Sequence, residues 1–576
     1  MNPEYASEHP TTDKFGVELA VRRLSEYGVR DWVFSPGSRN APMVLAVRAL
    51  ADARIEIVVD ERSAAFTALG MSLASGRPVV LCCTSGSAVA NYLPAVVEAF
   101  YQGVPLILLT ADRPAHRIDQ FEGQTIRQQG IFGGHVVYEA VLSEQCAHPS
   151  ERAGQERRIA EAYRAAMSGG PVHLNVPLSE PLYGSAPSLT LPRRRIEFTP
   201  SIRILSQESL QNLVSELQSF RRILVVVGSH RSGTSRITAL LKSAMDHPGL
   251  YVLSESVSNL EEAVGSAHID RIILTLSAKE REALRPDLVI SMGGELVSRK
   301  LKLWLRETED WSYWQIGRPL PGSGQVPDPM ERLHRAVEVD PEVFWEAVLA
   351  HPDAIPTAVQ SDYADVWTQA ADRRASAHTE FLDSAPWSDL KAFDLLTRAF
   401  PSGSHLWEGN SSPIRYVQLC PSRPDLIHWA NRGSSGIDGL TSTALGFARR
   451  TAQPVFLVSG ELSFFYDSNA FWQTRLPERF KIAVINNGGG GIFRIIEGPS
   501  ESGWLEPHFE AGPERSVQTL CAHFGLTYFR ASEADSLNKV LPEWLHFEGV
   551  AVLEIITPKN RNPEVLQAYF ETLSHV

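Results

Sequence analysis

The fold is decided by two neighbouring stretches, Phe456-Leu-Val-Ser-Gly-Glu-Leu-Ser-Phe-Phe-Tyr-Asp467 and Ile482-Ala-Val-Ile-Asn-Asn-Gly-Gly-Gly-Gly-Ile-Phe493. Each begins as an apolar run typical of a strand. The first run ends at Gly460-Glu461 and the second at Asn486-Asn487, so a carboxylate and a side-chain amide reach neighbouring strand ends. Such oxygen ligands suit Mg²⁺ rather than Zn²⁺, and parallel sheets bind ligands at these ends. The pattern predicts a metal-diphosphate cradle, with ordinary turn chemistry in a βαβ unit as the alternative.

Outward from these stretches, β-rich runs alternate with helix-like segments along the chain. This alternation is typical of parallel sheets covered by helices. A Pro-, Arg- and Ser-rich segment at 185–195 and a mixed helical stretch at 350–390 indicate two linkers. We therefore predict an α/β protein of three doubly wound parallel-sheet domains in series, at residues 1–190, 200–360 and 385–576, with the outer two as related folds.

Composition narrows the class of protein. The 576 residues exceed what one hydrophobic core can organise, and a net charge of -13 argues against broad binding to nucleic-acid phosphates. The five cysteines show no CxxC spacing, which argues against zinc knuckles and a disulfide framework. Neither a long apolar run nor a secretory or transit leader is visible, so we expect a cytoplasmic protein without a membrane span.

Glu61 is the first candidate for chemistry outside the cradle. It follows the apolar run Ile57-Val-Val and opens a small-residue helix. A carboxylate in that position is either a partner of the helix dipole or a proton relay presented into a domain interface. The segment Cys83-Thr-Ser-Gly-Ser-Ala88 similarly offers free N–H groups at a helix start to a polar ligand.

Arginines recur in probable turns next to glycine, proline or serine. A guanidinium held in such a turn can grip a carboxylate with two hydrogen bonds. Four positions share this setting: Arg39, Arg113, Arg415 and Arg432. They indicate a substrate with several carboxylates. The absence of His-x-x-His, His-Glu-x-x-His and Gly-x-Ser-x-Gly patterns argues against metallohydrolase and serine-hydrolase functions.

Taken with Glu61 and the cradle, several longer motifs make nearly the whole chain resemble the thiamine-diphosphate enzymes of the decarboxylase and acetolactate-synthase type. These motifs are Ser35-Pro-Gly-Ser-Arg39, Thr110-Ala-Asp-Arg-Pro114, Gln124-Thr-Ile-Arg-Gln128, Asn431-Arg-Gly-Ser-Ser-Gly-Ile-Asp-Gly439 and Gly490-Gly-Ile-Phe493. The resemblance implies a pyrimidine-binding, a central and a diphosphate-binding domain, in that order. Within the family the motifs are most similar to those of a carboligase of menaquinone biosynthesis.

The resemblance also implies roles for individual residues. Glu61 would hydrogen-bond the aminopyrimidine N1′ of thiamine diphosphate, so that the neighbouring amino group can take the proton from thiazolium C2. Other implied cofactor contacts are Gln124, Ser411, Ser435, Gly436, Ile437 and Gly460. Mg²⁺, with Mn²⁺ as an alternative, would be held by Glu461, Asn487 and the Gly489 carbonyl.

The implied reaction is a transferase reaction: decarboxylation of 2-oxoglutarate and Stetter-like addition of the product to isochorismate. The implied substrate contacts are Ser38, Arg39, Arg113, Gln124, Arg299, Ser411, Arg415, Arg432, Ile492 and Phe493. The resemblance further implies a homodimer or homotetramer with active sites at the subunit interface.

The chain departs from the family pattern at two places. Most relatives carry aspartate where this chain has Glu461, and a central-domain lysine of some relatives falls on either Arg299 or Lys300. Two other functions stay open on the residues alone. One is an acetolactate-synthase-like enzyme or oxoacid decarboxylase with the same cofactor, and the other is an inactive scaffold or nucleotide-binding protein that retains the fold.

Overall fold

Three parallel β-sheets, each flanked by helices, follow one another along the chain, which confirms the predicted α/β class. They are seen in a computed structural model that describes residues 10–188, 195–231, 233–261, 264–317, 322, 324–351, 354–355, 362–495, 503–510 and 515–576. Parts of the two predicted linkers, at 189–194, 352–353 and 356–361, lie outside these residues. The predicted domain boundaries therefore stay predictions.

The first sheet has the strand order β3-β2-β4-β5-β7-β6, and all its neighbouring strands are parallel. The strands of this part of the chain are β1 (Thr11–Thr12), β2 (Asp31–Phe34), β3 (Arg54–Ile57), β4 (Val79–Cys83), β5 (Leu106–Asp112), β6 (Tyr138–Val141), β7 (Pro171–Pro177) and β8 (Ser185–Ala186). The helices are α1 (Phe15–Glu26), α2 (Ala41–Arg48), α3 (Glu61–Ser75), α4 (Ser87–Ala90), α5 (Leu93–Gln102) and α6 (Pro149–Met167). β1 and β8 form a separate antiparallel pair.

The second sheet has the order β10-β9-β11-β12-β13 and is also parallel. Its strands are β9 (Ile223–Val227), β10 (Leu250–Leu253), β11 (Leu288–Met292), β12 (Ser312–Ile316) and β13 (Leu333–Val337). The accompanying helices are α7 (Gln207–Leu217), α8 (Ser235–Met245), α9 (Ile269–Ile273), α10 (Ala278–Ala283), α11 (Arg299–Glu307) and α12 (Pro341–Leu349). The long helix α13 (Tyr363–Ser384) then leads to the third sheet.

The third sheet has the order β15-β14-β16-β17-β19-β18. Its strands are β14 (His405–Glu408), β15 (Ile427–Trp429), β16 (Val455–Gly460), β17 (Phe480–Asn486), β18 (Thr527–Ala531) and β19 (Ala551–Ile556). Its helices are α14 (Asp389–Ala399), α15 (Ser412–Leu419), α16 (Leu440–Ala448), α17 (Glu461–Tyr466), α18 (Val517–Phe524), α19 (Ala534–His546) and α20 (Arg561–Ser574). If the strands of each sheet are numbered afresh in chain order, the first and third sheets have the same strand order. This supports the prediction that the outer units are related folds.

Central strands are buried along nearly their whole length because helices cover both faces of each sheet. This is why β5, β16 and β17 appear in the sequence as continuous apolar runs rather than as alternating patterns. Among the described residues, no helix combines the length and the apolarity that a membrane crossing requires.

The outer units are joined within the chain by an unusually close crossing of α3 and α16. The tetrapeptide Thr67-Ala-Leu-Gly70 of α3 occurs again as Thr443-Ala-Leu-Gly446 in α16. A Cβ atom on Gly70 would lie 1.9 Å from the Thr443 carbonyl oxygen, and one on Gly446 would lie 2.0 Å from the Thr67 carbonyl oxygen. The two helices therefore touch backbone to backbone, in a reciprocal contact that only glycine permits.

We expect Gly70→Ala to lower the free energy of unfolding by about 2–3 kcal/mol, because the added methyl group must push the two helix backbones apart. Chemical denaturation checks this. Gly154→Ala in α6 is the matched control, since a Cβ there meets no atom within 4 Å, and it should stabilise the protein by up to about 1 kcal/mol. Equal effects of the two substitutions would show that the crossing tolerates a wider spacing.

Candidate functional site

A cavity of about 130 Å³ lies at the carboxyl edge of the third sheet, beside the ends of β14, β16 and β17. The strand order reverses between β14 and β16, and such switch points open a crevice for ligands. The lining includes seven residues predicted from the sequence: Ser411, Ile437, Gly460, Glu461, Asn487, Ile492 and Phe493. The structure thus brings together most of the proposed cofactor and metal contacts of the third unit.

Glu461 stands at the start of α17 and is buried. Its Oε1 accepts a hydrogen bond of 2.6 Å from the Gly489 N–H, which brings two of the three predicted metal ligands together. Burial raises the pKa of this carboxyl group above its usual value, while hydrogen bonds from backbone N–H groups oppose the shift. The side chain of Glu461, which is longer than that of aspartate, therefore reaches the glycine-rich turn that follows β17.

Asn487 is oriented by a carboxylate that the sequence analysis did not single out. The Asn487 Nδ2 donates to Asp389 Oδ2 at 3.0 Å, and Asp389 Oδ1 accepts from Thr557 Oγ1 at 2.6 Å. Within the part of the chain that the structure describes, the Asn487 Oδ1 accepts a single long bond of 3.3 Å, from the Gly491 N–H. Asp389 follows the N-cap Ser388 of α14. That pattern is common at helix starts and gives no sign of this role.

Several predicted contacts have backbone conformations that side-chain-bearing residues rarely adopt. The φ angles of Gln124, Ser411 and Ser435 are 55°, 75° and 58°. Strain of this kind is concentrated at ligand sites, where the surrounding structure holds it in place. Here the Ser411 carbonyl accepts from Arg415 Nη1 at 2.6 Å, and Ser435 Oγ donates to Glu295 Oε2 at 2.7 Å.

A second cavity, of about 500 Å³, adjoins the first and shares Ser412 and Ile492 with it. Its lining combines three cations and one carboxylate with mainly apolar side chains. The charged residues are Arg299, Lys300, Arg415 and Asp270, and the others are Leu274, Leu303, Tyr416, Leu419, Ile495, Leu566 and Phe570. Both candidates for the central-domain cation, Arg299 and Lys300, face this space. Burial and the neighbouring Arg432 lower the pKa of Arg415. The cavity is suited to an anion with an apolar body.

Arg432 lines neither cavity, but it contacts Asn410 on the wall of the first and is tied to both the second and the third units. Its Nη1 donates to Asn410 Oδ1 at 2.9 Å, and its Nη2 forms an ion pair with Glu295 Oε2 at 3.1 Å. The Arg432 Nε is buried and has no hydrogen-bond partner among the described residues. A donor in that state is available to a ligand.

The predicted contacts of the first unit form a separate group. Arg39 is buried, and it donates to the Leu178 carbonyl at 2.6 Å and to Glu180 Oε1 at 2.7 Å. Burial and the nearby Arg113 lower the pKa of Arg39. Arg113 Nη2 in turn donates to the Gly123 carbonyl at 3.2 Å, while Ser38 is exposed nearby in the same loop as Arg39.

Gln124 and Glu61 belong to this first-unit group as well. The Gln124 carbonyl accepts from Ser85 Oγ at 2.9 Å, and Gly86 packs against the Gln124 backbone. Glu61 is the first residue of α3, half-buried, and burial raises its pKa. None of these first-unit residues is among the described residues that line either cavity. The predicted contacts thus lie in two separate groups within one chain, rather than around one closed pocket.

Several known proteins are similar in sequence to this chain. A family described as "Thiamine pyrophosphate enzyme, N-terminal TPP binding domain" matches residues 15–131. A protein of Porphyromonas gingivalis, named 2-succinyl-5-enolpyruvyl-6-hydroxy-3-cyclohexene-1-carboxylate synthase, is 37% identical over 98% of this chain and 98% of its own length. Proteins of the same name from Flavobacterium johnsoniae and Cytophaga hutchinsonii are 35% and 37% identical over 96% of this chain, and over 98% and 97% of their own lengths.

The chain belongs to the 2-succinyl-5-enolpyruvyl-6-hydroxy-3-cyclohexene-1-carboxylate synthase family. This confirms the resemblance to thiamine-diphosphate enzymes, and the match spans all three sheets. Thiamine diphosphate is accordingly the cofactor of the family.

We expect Ser411→Gly to stabilise the cofactor-free protein by about 1 kcal/mol, because glycine adopts the φ angle of 75° without steric strain. Denaturation of the cofactor-free protein measures this. The neighbouring Ser412→Gly is the control, since Ser412 is helical and glycine should destabilise α15 by up to about 1 kcal/mol. Destabilisation by both substitutions would contradict the assignment of strain to Ser411.

Proposed function

We propose that this chain decarboxylates 2-oxoglutarate and adds the remaining succinyl-semialdehyde unit to isochorismate in a Stetter-like manner. The product would be 2-succinyl-5-enolpyruvyl-6-hydroxy-3-cyclohexene-1-carboxylate, in menaquinone biosynthesis. One observation carries the proposal beyond the family relationship. A cavity at the switch point of the third sheet, with Glu461 and Asn487 on its wall, adjoins a larger cavity with Arg299, Lys300 and Arg415 on its wall.

The chemistry of the first cavity fits the diphosphate end of thiamine diphosphate with a divalent metal. Glu461 and Asn487 supply hard oxygen donors, which favour Mg²⁺ or Mn²⁺. Gly488, Gly489 and Gly490 have φ angles of 86°, 114° and 81°, and three such angles in succession strongly favour residues without a Cβ. In this proposal the Gly489 carbonyl completes the metal ligands.

Thiamine diphosphate, when bound, supplies a nucleophilic carbon and an electron sink for the decarboxylation. Glu61 would hold a proton at the pyrimidine N1′. Burial raises the Glu61 pKa, and thereby favours the protonated carboxyl group that can donate there. Ile437, 38% exposed at the cavity, presents an apolar surface on which the bent cofactor can rest.

The two substrates bring several carboxylates, which the arginines would neutralise and orient. Burial and the neighbouring Arg432 lower the pKa of Arg415, an electrostatic cost that a bound dianion offsets. Arg299 or Lys300 would add a further contact from the central unit. Ile492 and Phe493 would form the apolar wall against the substrate.

The two separate groups of predicted contacts in one chain suggest an active site shared between subunits. The cavities at the third sheet are lined by residues from 270 onward, whereas Glu61, Ser38, Arg39, Arg113 and Gln124 lie in the first unit. A homodimer, or a tetramer built from dimers, would place the first unit of one copy against the third unit of the other. Symmetric dimers produce two such sites for each pair of chains.

We expect Glu61→Gln to lower kcat at least about 100-fold, because the amide cannot give a proton to N1′. Purified protein is mixed with thiamine diphosphate, Mg²⁺, 2-oxoglutarate and isochorismate, and isochorismate absorbance is followed. Glu208→Gln, an exposed first-turn substitution in α7, should leave kcat unchanged. If the wild type consumes no isochorismate, the substrate assignment is wrong; full activity of Glu61→Gln would exclude the proton role.

Co-expression of Glu61→Gln with Asn487→Ala should restore about a quarter of wild-type activity, although each variant alone is inactive. Random pairing makes half of the dimers mixed, and one of the two sites in a mixed dimer then has neither substitution. Different tags on the two variants allow mixed dimers to be isolated and counted. Mixed dimers without activity would place Glu61 and Asn487 of one chain in the same site.

A further inference from the structure

A buried carboxylate of the first unit grips the loop 431–439 of the third unit in the same chain. Glu98 lies in α5 and is only 1% exposed. Its Oε1 accepts from the Gly433 N–H at 2.7 Å, and its Oε2 accepts from the Ser434 N–H at 2.6 Å and from Ser434 Oγ at 2.7 Å. Gln102 Nε2 donates to the same carboxylate.

The hydrogen-bond partners of Glu98 lie mainly in this loop. Among the described residues, no lysine, arginine or histidine forms an ion pair with Glu98. Its charge is instead stabilised by N–H and O–H donors, and the two backbone donors are consecutive residues of one loop. Hydrogen bonds to a charged group are stronger than neutral ones, and an unmet buried carboxylate would be costly.

The sequence of the loop is adapted to this contact. A Cβ atom on Gly433 would lie 2.5 Å from the Glu98 carbonyl oxygen and 3.1 Å from its carboxyl carbon. Only glycine lets the loop approach α5 closely enough for both oxygens to accept backbone hydrogen bonds. The glycine in Asn431-Arg-Gly is therefore a requirement of the contact with Glu98.

The residue next to the gripped position is Arg432. Its guanidinium is directed by Asn410 and Glu295, but its backbone is held through the Gly433 N–H. Asn410 Nδ2 fixes the rest of the loop, since it donates to the carbonyls of Asn431 and Gly436 at 2.7 Å each. Glu98 thus acts on the middle of the loop, from a unit that lines neither cavity.

We propose that Glu98 is a positioning residue, which fixes the loop 431–439 from the side of α5 so that Arg432 is presented to a carboxylate of the substrate. It would not touch the substrate. The part of this inference that concerns substrate rests on the proposed function, whereas the part that concerns the loop rests on the hydrogen bonds alone.

Trypsin cleavage of the Arg432–Gly433 bond reports the state of the loop in the cofactor-free protein. The held loop resists cleavage, because a protease needs local opening of the backbone. In Glu98→Ala, mass spectrometry should show the fragment that begins at Gly433 forming at least about ten times faster, the factor that corresponds to losing about 1.4 kcal/mol of hydrogen bonding. Glu98→Gln should be intermediate, because its amide can accept one N–H but not both.

Two further variants separate positioning from general destabilisation. Gly433→Ala keeps the carboxylate but forces the loop away, so it should also speed cleavage, and it decides the matter if Glu98→Ala does not fold. Glu156→Gln removes another buried carboxylate of the first unit, which binds Arg23 at 2.6 Å. It should lower the melting temperature without speeding cleavage at Arg432.

Steady-state kinetics then test the link to substrate. Glu98→Ala and Gly433→Ala should raise KM for 2-oxoglutarate or isochorismate about tenfold while kcat falls less; Glu156→Gln should change neither. Unchanged cleavage in both loop variants overturns the proposal, as does faster cleavage with both KM values unaltered. A wild-type protein without activity would overturn the proposed function, while the cleavage result would still decide whether Glu98 holds the loop.

Discussion

The contact on which the arrangement depends is the reciprocal crossing of α3 and α16, where Gly70 and Gly446 let two helix backbones touch. α3 begins at Glu61, and α16 follows directly on Gly439 at the end of the loop 431–439. The crossing therefore sets the position of Glu61 relative to the loop 431–439 of the same chain. We expect a side chain at Gly70 or Gly446 to push the two helices apart, because a packed interface transmits strain rather than absorbing it.

Carboxylates that contact the loops of the third unit divide into two kinds. Glu98 is satisfied by backbone N–H groups of a loop, and Asp389 by the side chains of Asn487 and Thr557. Both are buried and hold other groups in place. Glu295, by contrast, is partly exposed and pairs with Arg432. Exposure distinguishes them, since an ion pair open to water contributes little to stability and exchanges readily with an anion.

Much of the architecture was predictable from local pattern. Continuous apolar runs ending in glycine predicted β16 and β17, and strand-helix alternation predicted the parallel sheets, because both signals arise from burial on two faces. The repeated Thr-Ala-Leu-Gly tetrapeptide is visible in the sequence and marks the crossing of α3 and α16. Glu98 and Asp389 gave no such signal, since each looks like an ordinary helical carboxylate until its partners are known.

The sequence by itself determined the α/β class, the family, and the identity of the groups that meet at strand ends, such as Glu461 and Asn487. These follow from side-chain chemistry and periodicity, which are properties of neighbouring residues. Only the tertiary structure decided that Glu98 holds the loop after Arg432, and that the first-unit residues stand apart from the cavities of the third. Glu98 and the loop are more than 300 positions apart in the chain. Contacts and separations over such distances depend on how whole sheets and helices pack.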